Sequence, residues 1–249
     1  MEARRSRLLT GSPPELLIHD ESSSCPYLEN RTSRLPMRLP VRPLSDEEFD
    51  ERLEAGDRRQ GLLLYRTSCP SCAACEPIRI DCRIYQPSKT GRRVLRRGNQ
   101  DFRIEIARPR YSAQKLDLYN RHKQGRGLLG SSAPLDSAGY TAFLVDSCAD
   151  SYELQYLVGT TLVGVAVVDR SRDALSAVYT YYDPDYTRHS LGVYSILRQI
   201  QLCRDWGLAH LYLGLYISEC DAMAYKAEYL PHERRIGGRW LRFERHQNR

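Results

Sequence analysis

The stretch from Ser176 to Ile200 joins a strand pattern to a helix pattern. Aromatic and β-branched residues from Ala177 to Tyr182 favour a half-buried strand. Asp183-Pro184-Asp185 then interrupts it, because proline removes a ladder donor and aspartate favours turns. From Ser190 apolar residues recur every three or four positions, which predicts a helix. An order of strand, turn and helix directs the first amides of the helix at a ligand's negative charge. The alternative interpretation is a plain strand-to-helix connection whose tyrosines pack in the core.

The whole chain has the composition of an ordinary globular protein. Its 249 residues carry a net charge of +6, mostly from arginine, which suits a polyanionic partner because guanidinium matches phosphate. No run of about 18 apolar residues predicts a membrane span, and the first residues make a poor signal peptide. The 8 cysteines therefore indicate thiols or metal ligands in a cytoplasmic protein rather than disulfides.

The elements of the first half follow from local signals. Residues 1–24 are polar and predict a loosely ordered tail. Ser45 and Glu48 form a capping box that predicts a helix to about Ala55, and residues 61–66 and 77–81 read as strands.

Three cysteines at two-residue intervals, Cys69, Cys72 and Cys75, can turn their sulfurs toward one centre. Thiolate ligation of zinc or of an iron–sulfur cluster needs such a set. The fourth ligand would be Cys25, or else Cys82. The alternative is a group of reduced, partly buried thiols.

A concentrated basic segment follows. Residues 83–110 contain nine Lys or Arg against two acids. Such an excess indicates a surface that attracts phosphate, and RNA contact is favoured over a merely solvated face. The candidate RNA-binding side chains are Lys89, Arg92, Arg93, Arg96 and Arg97.

The second half predicts a helix over 112–124, a strand or short helix over 140–145, and a hairpin over 152–169 around Gly159. A strand over 211–217 leads to SECDAMAYKAEYLP. There Lys226 stands beside tyrosines near a strand end, where a lysine can hold a carboxylate; the commoner alternative is a surface lysine.

Three segments resemble a known family: YQPSKTGRRVLRR, VYTYYDPDYTRHSLGVYSILRQI and LYLGLYISECDAMAYKAEYLPHE. In this order they are similar to the aminoacyl-tRNA–protein transferases, most closely the bacterial aspartate/glutamate leucyltransferase branch. The resemblance runs from about Cys25 to Phe243. It implies an α/β (α+β) fold in which a tail (1–24) precedes a small cysteine-bearing domain (25–108) and an acetyltransferase-like (GNAT) catalytic domain (109–249).

The resemblance also implies the reaction, which is transfer of leucine from leucyl-tRNA to the α-amine of a protein beginning with Asp or Glu. This marks the acceptor for the N-degron pathway. The alternatives are arginyl transfer from arginyl-tRNA and a non-catalytic, metallated RNA-binding protein. Positioning of the ester and amine supplies most of the acceleration, so no cofactor is required. Eukaryotic relatives carry an iron–sulfur cluster on cysteines comparable to Cys25, Cys72 and Cys75.

The expected site residues come from the two tyrosine-rich segments. Asp183 would orient or deprotonate the amine, with Tyr182 and Ser190 as further catalytic residues. Lys226, with Arg79 or Arg188, would pair with the acceptor's acidic side chain. The remaining expected substrate-binding residues are Tyr181, Gly192, Tyr216 and Tyr225. Arg188-His-Ser-Leu-Gly192 only approximates the pyrophosphate loop of acetyl-coenzyme A enzymes, which disfavours an N-acetyltransferase.

Overall fold

A computed structural model describes residues 7–128 and 133–245, with the backbone but not the side chain of Arg188. The fold is mixed α/β. The described ranges contain six α-helices: α1 (Asp46–Glu54), α2 (Lys89–Asp101), α3 (Ala113–Gly125), α4 (Ser137–Tyr140), α5 (Leu191–Asp205) and α6 (Asp221–Ala224). A π-helix covers Thr141–Val145, and 3-10 turns cover Pro184–His189 and Tyr225–Glu228.

An eight-stranded sheet forms the centre of the molecule. In spatial order its strands are β15 (Arg239–Phe243), β14 (His232–Ile236), β8 (Glu76–Asp81), β13 (His210–Tyr216), β12 (Ala174–Tyr182), β11 (Thr161–Arg170), β10 (Asp150–Val158) and β9 (Arg103–Ala107). All neighbours are antiparallel except β12 and β13, which run parallel.

A smaller sheet and a two-stranded ribbon come from the first third of the chain. The small sheet has the order β1 (Arg7–Leu9), β2 (Glu15–His19), β5 (Met37–Pro40), β7 (Leu63–Tyr65) and β6 (Arg58–Gln60). The ribbon pairs β3 (Ser22–Ser24) with β4 (Thr32–Arg34). Residues 7–24, expected as a tail, therefore contain three paired strands. The stretch as a whole is polar, although β1 and β2 contain leucine and isoleucine, and β2 gains its second partner β5 only in the tertiary structure.

The expected boundary near residue 108 does not separate two sheets. Strands β8 and β9 precede it in sequence, yet both belong to the eight-stranded sheet with the strands that follow it. β8 lies between β13 and β14, and β9 forms the opposite edge. The two halves of the chain therefore share one sheet.

Helices α2 and α5 cover one face of the large sheet and enclose the main core, which includes Tyr156, Leu191 and Tyr194. The two helices approach closely at Gly98, where a β carbon would lie 2.3 Å from the Tyr194 ring. A larger residue at 98 would separate the helices. Helices α3 and α4 cover the other face around Tyr140 and Tyr181.

Most local predictions hold. The Ser45–Glu48 capping box is formed at the start of α1, and the hairpin is β10–β11. The basic segment 83–110 contains α2 and β9. Residues 140–145, left open between strand and helix, are helical. No helix in the described ranges is both long and apolar enough to cross a membrane.

A buried ion pair joins the small sheet to the large one. The Arg59 guanidinium on β6 contacts the Asp169 carboxylate on β11 at 2.5 Å, and both side chains are almost fully buried. Arg59 also donates to the carbonyls of Gly61 and Asp146, and the Ser151 hydroxyl donates to Asp169. Each charged atom of this pair has a hydrogen-bond partner. Removal of either Arg59 or Asp169 would therefore leave an uncompensated buried charge.

We therefore expect Arg59→Ala to lower the free energy of unfolding by about 3–5 kcal/mol. Urea denaturation of the full chain measures this. The matched control is Arg42→Ala, which removes an exposed arginine from its pair with Glu48 and should change stability little. Equal effects of the two substitutions would contradict a linking role for Arg59.

Candidate active site

The two parallel strands at the centre of the sheet separate along their length. β12 and β13 pair only from Ala174–Ser176 to His210–Tyr212, although they continue to Tyr182 and Tyr216. The pairing of β12 with β11 is irregular next to this segment, because Val178 has no partner in the register. The carboxyl ends of the strands therefore border a cleft, and this cleft is the candidate active site.

Arg58 on β6 reaches into the base of the cleft. Its guanidinium donates to the Ser176 hydroxyl at 3.2 Å and to the Ala177 carbonyl at 2.9 Å. The opposite wall is Gly214, whose backbone is left-handed (φ +88°) and where a β carbon would lie 3.0 Å from Nη2 of Arg58. Glycine at 214 thus provides both the conformation and the space for the guanidinium.

Lys226 is the second cation of the cleft. It lies on the 3-10 turn Tyr225–Glu228, is only 8% exposed, and donates from Nζ to the Leu215 carbonyl at 2.6 Å. Burial, and then the positive charge of Arg58, lower the pKa of Lys226 to about 7, opposed by Cys220. Within the described ranges, neither Lys226 nor Arg58 forms an ion pair with a carboxylate. The cleft therefore presents two neighbouring cationic groups without an anionic partner.

A second group of side chains surrounds the start of α5. The Arg126 guanidinium donates to the Tyr182 hydroxyl at 2.7 Å. The Tyr182 ring lies against Gly192, in the first turn of α5. Burial raises the pKa of the Tyr225 phenol, while the charge of Arg126 lowers it and Tyr182 raises it. Both side chains therefore lie near the Tyr225 phenol. Ser190 has left-handed backbone, and its exposed hydroxyl does not cap α5.

His122 on α3 holds the Tyr182 backbone at this point. Its Nδ1 lies 3.0 Å from the Tyr182 carbonyl oxygen and 3.2 Å from the Tyr182 amide nitrogen. The two rings contact edge-on at 4.7 Å. Burial lowers the pKa of His122, despite the bond to Tyr182, which keeps the imidazole neutral. His122 thus fixes the end of β12 beside the cleft.

Family models match the chain in two parts. The model for the N terminus of arginine-tRNA-protein transferase matches residues 23–93, and the model for its C terminus matches residues 114–236. An aspartate/glutamate leucyltransferase of Chromobacterium violaceum is 37% identical over 87% of this chain and 89% of its own length. The chain belongs to the arginine-tRNA-protein transferase family.

Further relatives of this transferase carry the same name. Those of Acinetobacter baumannii and Thiobacillus denitrificans are both 36% identical, over 89% and 88% of this chain and 82% and 91% of their own. The family and branch indicated by the sequence segments are thereby confirmed.

Solved structures are more distant. A lysylphosphatidylglycerol synthetase domain from Agrobacterium fabrum is 13% identical over 58% of this chain and 47% of its own, with a TM-score of 0.45. FemX is 7% identical over 67% and 59%, with a TM-score of 0.42. These likenesses are too weak to support an argument about the transferase.

The structure brings most of the expected site residues to the cleft. Tyr182, Ser190, Gly192, Tyr225 and Lys226 lie there, as described above. Asp183 follows Tyr182; its carboxylate accepts from Arg121 at 2.8 Å and from the Asp185 amide at 3.1 Å. These two hydrogen bonds orient the carboxylate at the rim of the cleft. The side chain of Arg188 lies outside what the structure describes.

Three expected residues lie elsewhere. Tyr181 faces the α3 side of the sheet, fully buried, with its hydroxyl 2.6 Å from that of Tyr140. Arg79 donates to Glu233 at 2.7 Å and to the Tyr212 hydroxyl at 2.8 Å, so the scaffold engages its guanidinium. The Tyr216 ring lies beneath the Arg234 guanidinium, 4.6 Å from its centre.

The cysteines reach the cleft but do not form a metal site. Burial, then the charges of Cys69, Cys25, Cys72 and Cys220, raise the pKa of Cys75 to about 11. The five thiols are therefore close together, and Cys75 is a neutral thiol at pH 7. No group of three or more His, Cys, Asp or Glu side chains in the described ranges is arranged to hold a metal ion. The thiols as arranged therefore do not fit zinc or an iron–sulfur cluster.

Arg58, Arg126 and His122 were missed from the sequence. Arg58 and Arg126 carry no local signal, because β6 and α3 approach the cleft only through tertiary packing. His122 did carry a local signal, because it lies at helical spacing from the buried Leu118 and Lys115.

We expect Lys226 to make stability depend on pH in a defined window. Between its folded pKa of about 7 and its ordinary value of 10.5, the unfolded chain holds a proton that the folded chain has released. The free energy of unfolding of the parent protein should therefore rise with pH, relative to Lys226→Met, from pH 7 toward 10.5. Urea denaturation at pH 7, 8 and 9 measures this difference, with the exposed Lys89→Met as control. A difference that is constant across these pH values would show that Lys226 has an ordinary pKa.

Proposed function

We propose that this transferase moves leucine from leucyl-tRNA to the α-amine of proteins that begin with Asp or Glu. The observation that carries the proposal is the pair of cationic groups, Arg58 and Lys226, without a carboxylate partner in a cleft beside a helix start. Family membership and the curated relatives' name support the same reaction. Charged tRNA is made in the cytoplasm, where we place this protein.

The acceptor's acidic side chain would bind between Arg58 and Lys226. A bound carboxylate would raise the pKa of Lys226 by offsetting the effect of burial, and the amine, partly protonated at pH 7, would then be fully charged. Both cations already donate to backbone carbonyls on the two strands, so they are positioned before the acceptor arrives. Preorganised cations would distinguish Asp and Glu from neutral residues of similar shape.

The donor ester would lie at the start of α5. Arg126 and the first amides of this 15-residue helix, whose first turn has no acidic residue, would hold the phosphate of the terminal nucleotide. The Tyr182 and Ser190 hydroxyls would donate to the oxyanion of the tetrahedral intermediate. Tyr225 would complete the wall around the adenosine.

The reaction needs only positioning and one proton transfer. The acceptor amine attacks the ester carbonyl, the carbon–oxygen bond to the ribose breaks, and a peptide bond forms. The ribose oxygen leaves with a proton, and the amine loses one. Asp183, whose carboxylate pairs with Arg121, would orient the amine and relay its proton to the leaving ribose oxygen. Because an α-amine has a pKa of about 7.7–8.0, part of it is already neutral at pH 7.

The strand order and the β12–α5 connection support an acetyltransferase-like (GNAT) architecture for the large sheet. The exposed basic face of α2, formed by Lys89, Arg92, Arg93, Arg96 and Arg97, would contact the tRNA backbone. Asp101, the last residue of α2, contacts His189 just before α5. The basic face of α2 therefore leads to the donor site.

Transfer of radiolabelled leucine or arginine from the matching charged tRNA to peptides that begin with Asp, Glu, Asn or Ala tests the reaction. We expect leucine on the Asp and Glu peptides alone. Lys226→Met and Arg58→Met should each lower kcat/KM on these peptides by about 10- to 100-fold, the value of a hydrogen bond to a charged group, while Arg58→Lys should lose less. If only arginine from arginyl-tRNA is transferred, the donor assignment is wrong. If tRNA binds but neither amino acid is transferred, the protein is a non-catalytic RNA-binding protein.

We expect the α2 face to determine the salt dependence of tRNA binding. Arg93→Gln with Arg97→Gln should reduce the slope of log affinity against log salt by about 0.7–0.9 per lost phosphate contact. Filter binding from 50 to 200 mM salt, about the range in which such contacts are lost, measures the slope. Arg172→Gln is the control, because this exposed arginine lies at the opposite end of β12 from the cleft. An unchanged slope in the double variant would exclude phosphate contact at these positions.

A further inference from the structure

Two tyrosines beside the cleft have no part in the chemistry proposed above. Tyr65 lies on β7, and the β6–β7 register pairs it directly with Arg58. Residues directly opposite each other in an antiparallel pair point to the same face, with their β carbons about 4.5–5.5 Å apart. The next pair in the register, Arg59 and Leu64, points to the other face and is buried. Tyr65 therefore extends from the small sheet on the same side as the Arg58 guanidinium.

The second tyrosine, Tyr27, lies in the connection between β3 and β4. The Cys25 amide donates to the Arg31 carbonyl at 2.8 Å, which closes this connection into a compact loop. The Ser68 amide donates to the Arg34 carbonyl at 2.9 Å, which ties the end of β4 to the chain just after β7. The two-stranded ribbon therefore lies alongside the end of β7.

The groups around the Tyr27 phenol show where it points. Burial, then Tyr65 and Cys75, raise the pKa of Tyr27 to about 12, while the charge of Arg58 lowers it and Cys220 raises it. The phenol therefore lies close to Tyr65, to two thiols and to the Arg58 guanidinium. No carboxylate is among these groups, so an anion bound here would meet no negative side chain. Because the phenol stays protonated at neutral pH, it can donate a hydrogen bond to such an anion.

The hydroxyls of Tyr27 and Tyr65 are available to a ligand. In the described ranges neither forms a hydrogen bond to another residue, whereas the hydroxyls of Tyr140, Tyr156 and Tyr182 all do. A tyrosine hydroxyl that is withdrawn from bulk water usually finds a partner. Both side chains are half-buried, and neither oxygen is among the polar atoms that are both unpaired and inaccessible. The two oxygens can therefore be reached from the cleft.

A carboxylate between Arg58 and Lys226 would need such additional donors. An ionised carboxylate accepts hydrogen bonds at about four lone-pair positions. Arg58 already donates two hydrogen bonds to β12, and Lys226 donates to the Leu215 carbonyl and the Met223 sulfur. An ion pair that is withdrawn from water is favourable only when the remaining lone pairs are also satisfied. Neutral hydroxyls next to Arg58 supply these donors.

We propose that the Tyr65 and Tyr27 hydroxyls donate to the side-chain carboxylate of the acceptor's first residue and complete the site formed by Arg58 and Lys226. The proposal rests on the proposed function, because it adds two substrate-binding residues to the same acceptor site. It assigns the small sheet and the ribbon to acceptor selection, while α2 and the start of α5 serve the donor.

Tyr65→Phe and Tyr27→Phe test this proposal, because each keeps the ring and removes only the hydroxyl. We expect each substitution to raise KM for peptides that begin with Asp or Glu by at least about tenfold, the lower value for a hydrogen bond to a charged group. KM for leucyl-tRNA should not change. Tyr111→Phe, at an exposed tyrosine just before α3, is the matched control and should alter neither constant. Thermal unfolding of the full chain checks each fold, and either variant suffices if the other does not fold.

The affinity for unreacted peptides separates a contact with the carboxylate from packing alone. Fluorescence anisotropy measures the binding of two labelled peptides that differ only in an N-terminal Asp or Asn. Loss of either hydroxyl should weaken binding of the Asp peptide more than that of the Asn peptide. Equal losses on the two peptides, or an unchanged KM, would overturn the role of that tyrosine. If the parent protein transfers no leucine to Asp or Glu peptides, the proposed function itself is wrong.

Discussion

The separation of β12 from β13 is the constraint on which the rest of the site depends. Parallel strands that part after three residues leave backbone carbonyls that no neighbouring strand can satisfy. Arg58 donates to the carbonyl of Ala177 on one strand, and Lys226 donates to that of Leu215 on the other. The two side chains that stabilise the open sheet are therefore the same two that give the cleft its positive charge.

This arrangement explains why the first third of the chain is part of the catalytic unit. Arg58 comes from the small sheet, and its neighbour Arg59 anchors that sheet to Asp169 on β11. Successive strand residues point to opposite sides, so one arginine can reach the cleft while the next holds the interface. The cysteine segment lies against the same cleft through Cys75 and Cys220.

Local signals predicted the elements better than the contacts. The capping box of α1, the β10–β11 hairpin and the strand–turn–helix corner were readable because each depends on residues near in sequence. The strands within residues 7–24 were not, because β2 and β3 complete their pairing with β5 and β4, which lie outside that segment. Arg79 shows the same limit of local signals in the site. From the sequence this strand arginine could bind a substrate carboxylate, but in the structure it donates to Glu233 and to the Tyr212 hydroxyl.

The sequence by itself determined the family, the corner formed by β12 and α5, and the basic face of α2, because motif order and charge are properties of the chain. It also placed Lys226 near a strand end. Only the tertiary structure decided that Lys226 has Arg58 as a neighbour and that Tyr182 points to the cleft while Tyr181 is buried behind the sheet. Burial and the proximity of distant charges produce these features, and neither is encoded in local spacing.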